Sequence, residues 1–87
     1  MQSYLAEFLG TMFLVYIVLT TGNPLAIGVA TTLAILLTIN VSGGYFNPAL
    51  TMAMVYSGNL PNKELLPYIL AQITGALSAV EIVKRFN

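Results

Sequence analysis

Apolar residues run almost unbroken through four stretches of this chain, and its polar residues gather in short clusters between them. The first stretch, residues 3–21, carries one charge, Glu7, and its length matches the roughly 20 residues of a membrane-spanning helix. Thr21-Gly22-Asn23-Pro24 then reads as a turn, with Gly22 closing one helix and Pro24 opening the next. The second span is expected over 24–41. Its Ala26, Ala30 and Ala34 form a small-residue stripe that lets another helix approach, and Thr31, Thr32 and Thr38 can return their hydroxyls to the preceding turn. The third stretch, 42–57, is irregular through Ser42-Gly43-Gly44-Tyr45-Phe46 and then predicts a short helix, with Asn47 as cap and Pro48 in the first position. Ser57-Gly58-Asn59 stops it. The polar run 58–64 belongs in water at one membrane face, and a third span follows over 64–83 with Pro67 in its first turn. Ala71, Gly75 and Ala79 repeat the small stripe there, with Gly10 as a further packing position in the first span.

The short helix fixes the architecture. At about 1.5 Å per residue, the segment from Pro48 to Tyr56 reaches roughly halfway through a hydrocarbon core of about 30 Å. Its capped start is then left near the middle of the bilayer, where irregular backbone is tolerated only if it lines a cavity or is buried in protein. The expected fold is an all-α membrane protein of three transmembrane helices and one re-entrant half-helix, making a single unit over residues 1–87.

Composition agrees with this class. Hydrophobic residues make up 57% of the chain against 7% charged, and no Lys or Arg precedes Lys63, whereas a soluble surface needs roughly 25% charge. A cleaved signal peptide is the alternative for the first stretch, but it lacks a basic leader and a small-residue cleavage site. The chain has no cysteine and no histidine, which removes thiolate sites, the commonest metal ligand and the usual general base. No nucleophile–base pair can be assembled, so an enzyme is not expected and neither is a cofactor. Three basic and three acidic residues balance, leaving no footprint for nucleic acid. Glu81 with Lys84 and Arg85 has the spacing of an interfacial ion-pair cluster.

Three motifs carry a family resemblance: Ala6-Glu7-Phe8-Leu9-Gly10-Thr11, Ser42-Gly43-Gly44-Tyr45-Phe46-Asn47-Pro48-Ala49 and Ala71-Gln72-Ile73-Thr74-Gly75-Ala76. Together they resemble the N-terminal half of the major intrinsic proteins, the aquaporin and glycerol-facilitator family. The resemblance implies two inverted halves whose Asn-Pro-Ala turns meet at the midplane of a pore for water or small neutral solutes. It assigns Asn47, Pro48 and Ala49 to that turn and makes the carbonyls of Gly43, Gly44, Tyr45 and Phe46 pore-lining acceptors. On the residues alone, Glu7 could be a functional intramembrane charge or could reach the interface; the resemblance makes it scaffold behind the re-entrant loop. Gln72 is expected to satisfy loop or helix groups inside the bundle.

A half-helix N-terminus disfavours a cation at the midplane, and the Asn47 amide can offer water a donor. Two positions depart from the family. Tyr45 stands where many members have His, and Ile27 falls where the family's selectivity filter has an aromatic residue. The filter's Arg follows the second Asn-Pro-Ala in the family, whereas the one present here is followed by Leu50. Two copies of this chain would thus form a less restrictive pore, with Ile27 and Leu50 at those places.

A single half implies a partner besides the bilayer. It can be an inverted copy in a homodimer or higher homo-oligomer, or a separate second half; the chain can also be a fragment of a longer gene, or a small structural or regulatory membrane protein without a pore. With Lys63 at one face and Lys84 and Arg85 at the other, the positive-inside signal is nearly balanced, so both insertions are accessible.

Overall fold

The computed structural model describes residues 1–87 as four α-helices without a strand: α1 Gln2–Thr21, α2 Pro24–Thr38, α3 Pro48–Tyr56 and α4 Leu65–Phe86, the last preceded by a 3-10 turn, Asn62–Glu64. The punctuation is that of the sequence. Gly22 takes a left-handed conformation (φ 59°) and closes α1, its N–H donating to the Val18 carbonyl. Asn23 then caps α2, its side-chain oxygen accepting from the N–H groups of Leu25 and Ala26 at 2.9 and 3.1 Å.

α1, at 20 residues, and the 25-residue stretch Asn62–Phe86 are long and apolar enough to cross a membrane. α2 is apolar but has 15 residues. Its regular helix ends at Thr38 rather than near Val41, although turns continue, with Ser42 N–H donating to the Thr38 carbonyl at 2.9 Å.

α1 packs mainly on α4 and secondarily on α2, and α3 lies on α4. The contacts Tyr4 with Tyr68, Glu7 with Gln72 and Phe8 with Gly75 advance in the same direction along both helices, so α1 and α4 run parallel. At Gly75 a Cβ would lie 2.4 Å from the Phe8 carbonyl oxygen, so only glycine lets the two backbones touch. The buried face of α4 is Tyr68, Gln72, Gly75 and Ala79. Ala71, expected on that stripe, is half-buried beside it. In α2, Ala30 and Ala34 are buried and Ala26 is half-buried.

The interior is rich in polar and small residues: Glu7, Thr11, Ser42, Thr51 and Gln72 are buried together with Ala30, Ala34 and Ala79, and the two buried aromatics are Phe46 and Tyr68. Large aliphatic residues such as Leu25, Leu36, Leu37 and Leu66 face outward. A water-soluble fold places these classes the other way round; a lipid-facing exterior accounts for the inversion. Inside the helices, the hydroxyls of Thr31, Thr32 and Thr38 donate to carbonyls one turn back at 2.7 to 2.9 Å. Glu81 meets Lys84 and Arg85 at 3.8 Å on an exposed surface, where such pairs contribute little.

Candidate functional site

After the turns that follow α2, the five residues Ser42 to Phe46 lead to the Asn47 cap of α3 without regular structure. Gly43 and Gly44 take φ of 94° and 67°, and a Cβ on Gly44 would lie 3.3 Å from the Ile35 Cα, so the segment threads close under α2. Phe46 also has a positive φ, 56°, a conformation that costs a non-glycine residue energy. Two contacts hold it. Its N–H donates to Glu7 Oε1 at 2.7 Å, and its ring covers Gly10, where a Cβ would come within 2.1 Å of the Phe46 Cε1.

Glu7 is fully buried at the centre of this arrangement. Its Oε1 accepts from Phe46 N–H and, at 2.8 Å, from Gln72 Nε2; its Oε2 accepts from the Ser42 hydroxyl at 2.6 Å and from Tyr45 N–H at 3.2 Å. A carboxylate is an acceptor at both oxygens, and every group facing it is a donor, three from the segment and one, Gln72, from α4. Because Gln72 must present its NH2 to this carboxylate, its amide orientation is fixed. The same Nε2 reaches Thr51 Oγ1 at 2.7 Å, and Thr51 donates to the Asn47 carbonyl at 2.8 Å. From α4, the Tyr68 hydroxyl donates to the Ser42 carbonyl at 2.8 Å. Two buried polar atoms, Thr11 Oγ1 and Gln72 Oε1, have no partner within the chain.

Asn47 caps α3, its Oδ1 accepting from Ala49 N–H at 2.7 Å and Leu50 N–H at 3.3 Å, with Pro48 in the first helical position. Asn47 is exposed, and its amide NH2 makes no hydrogen bond within the chain. Pro48, Ala49 and Leu50 are exposed beside it, Gly43 and Tyr45 are half-buried, and Gly44 and Phe46 are buried.

The expected residues are therefore brought together in part. Glu7, Gln72, Gly10 and the segment from Gly43 to Asn47 form one cluster. Ile27 does not join it: half-buried near the start of α2, it lies eleven residues, about 16 Å along the axis, from the end of that helix. Sequence reasoning gave no role to Tyr68, Thr51 or Tyr4. The available signal was spacing, since Tyr68 lies one turn before Gln72 and Thr51 one turn after Asn47.

An all-helical chain with spanning-length helices, a polar interior and a leucine-rich exterior is an integral, multi-pass membrane protein. It belongs to the major intrinsic protein family, whose model matches residues 1–87. The chain is 44% identical to glycerol uptake facilitator protein-like 6 of Lactiplantibacillus plantarum, over 99% of this chain and 44% of that protein. It is 39% identical to aquaporin Z of Brucella melitensis, over 90% of this chain and 41% of that protein, and 36% identical to aquaglyceroporin-2 of Trypanosoma brucei brucei, over 85% and 28%. The chain thus spans less than half the length of these curated relatives, matching their N-terminal half. No solved structure matches it.

Proposed function

We propose that this chain is one half of a passive membrane channel for water and small neutral solutes such as glycerol, with three spanning helices and α3 as a re-entrant half-helix. The observation that carries the reading is the exposed Asn47 amide at the start of α3, on a turn anchored to the buried Glu7. A donor held rigidly at a helix N-terminus binds a water or hydroxyl oxygen and repels a cation through the same dipole. The carbonyls of Gly43, Gly44, Tyr45 and Phe46 serve as the matching acceptors along the path. The names of the relatives, a glycerol uptake facilitator, an aquaporin and an aquaglyceroporin, support this class of solute.

The pore is completed by an inverted copy of the chain. α3 ends part-way across the bilayer, and only a partner inserted from the opposite face brings a second half-helix to meet it. Ile27 and Leu50 then stand where the family's filter has an aromatic residue and an arginine, giving loose size selection among neutral solutes. A second reading, in which the complementary half is a different sequence, is favoured by the relatives, whose aligned part is less than half of each chain. One experiment separates the two. The chain has no cysteine, so a Lys63→Cys variant in sealed proteoliposomes can be labelled with an impermeant reagent before and after the membrane is opened. About half the molecules are expected to label from each side if both insertions occur. Labelling from one side in essentially all molecules eliminates the inverted homodimer. Flux above that of empty liposomes is the accompanying measurement of the channel itself.

A further inference from the structure

We infer that Tyr68 is a positioning residue for the segment Ser42–Phe46, and that the Tyr4–Glu64 hydrogen bond at the end of the bundle sets where Tyr68 stands. Glu7 grips this segment from one side, through the N–H groups of Tyr45 and Phe46 and through the rotatable hydroxyl of Ser42. Those contacts, together with the Ser42 N–H on the Thr38 carbonyl, leave the Ser42 carbonyl itself to be met from elsewhere. The Tyr68 hydroxyl supplies a further fixed point, on the Ser42 carbonyl itself. Tyr68 is 3% exposed, and its ring also packs against Tyr45 at a centroid separation of 5.9 Å. The Tyr45 ring in turn lies across Gly43, where a Cβ would meet its Cζ at 2.7 Å. Ser42 and Gly43 are therefore both placed by Tyr68, one directly and one through Tyr45.

Tyr68 is itself held from its far side. The Tyr4 ring meets it edge-on, 6.0 Å between centroids at 84°, and the Tyr4 hydroxyl is pinned to the Glu64 carboxylate at 2.6 and 3.2 Å. Glu64, Tyr68 and Gln72 recur at one-turn spacing where α4 begins, and Tyr4 and Glu7 do so on α1. The parallel packing of the helices turns these two rows into rungs: Tyr4 with Glu64 and Tyr68, then Glu7 with Gln72. The outer rung fixes the tyrosine that the inner segment leans on. This inference concerns the geometry of the segment; its bearing on permeation rests on the channel reading above.

The test is Tyr68→Phe, which keeps the ring and both ring contacts and deletes one donor. In bilayer nanodiscs, amide hydrogen exchange of the peptide covering 43–46 is expected to accelerate about tenfold, while amides in the middle of α1 keep their protection. Tyr4→Phe is expected to shift the same peptide in the same direction by a smaller factor, about twofold to threefold, and serves where Tyr68→Phe fails to fold. In proteoliposomes the ratio of glycerol to water permeability is expected to change for Tyr68→Phe, a quantity that a smaller amount of folded protein would leave constant. Unchanged exchange at 43–46 in either variant, or equal acceleration throughout α1 and α4, overturns the inference. If the unaltered protein conducts nothing, the channel reading fails and the exchange measurement still decides the role of Tyr68.

Discussion

Glu7 shows how little of a residue's role depends on its own position in the sequence. Its neighbours on α1 allow either a functional intramembrane charge or one reaching the interface, and only the family resemblance makes it scaffold. What decides is the set of donors around it, which come from 35 to 65 positions further on. A residue pattern cannot display such a convergence. Because all four contacts are donors, even Glu7→Gln is disruptive: the amide places an NH2 against donors that need an acceptor. Each buried donor left unmet costs about 1 to 3 kcal/mol, so loss of folded protein in a detergent-denaturation series is expected to be larger than for any exposed substitution. At Asn47 the side chain has two separable duties. Replacing it with Ala removes the cap, costing about 1 kcal/mol, and also the outward donor. Stopped-flow permeability is expected to fall; unchanged flux in an intact assembly would remove Asn47 from the pore.

Among the elements, the turn after α1 and the starts of α2 and α3 follow local cap geometry at Gly22, Asn23, Pro24, Asn47 and Pro48, whereas α2 stops at Thr38 rather than Val41 and α4 runs on to Phe86 rather than 83. The buried face of α4 was less legible. Stepping back by four from Gly75 reaches Ala71, but at 3.6 residues per turn a stripe advances by alternating fours and threes, and the buried set is Tyr68, Gln72, Gly75 and Ala79. Polar Gln72 holds the inner place because its partners are polar. Gly75→Ala tests the contact itself, since the new Cβ would press on the Phe8 carbonyl oxygen, a backbone atom that cannot swing aside. Separation of α1 from α4 at a cost of about 1 to 3 kcal/mol is expected, read as a lower midpoint in mixed-micelle unfolding. An unchanged midpoint would show that the two helices have room to adjust.

For the whole molecule, class and family were visible from hydropathy and three motifs, while the tyrosine rungs were not, since each rung joins residues whose pairing exists only once α1 and α4 lie parallel. That dependence has a consequence for how the protein is made. α1 is synthesised before α4, and the last donor to Glu7, Gln72, follows 65 residues later. At about 5 to 20 residues per second, the delay is on the order of 3 to 13 seconds. Until Ser42, Tyr45 and Phe46 follow, 35 to 39 residues later, the nascent α1 has none of these donors, and until Gln72 its set is incomplete, a burden of up to about 3 kcal/mol for a charge in a lipid-exposed helix. The first helix therefore gains by staying beside the insertion machinery, or by riding close to the interface, until α4 arrives. On that account α4, rather than α1 itself, times the release of α1 into lipid.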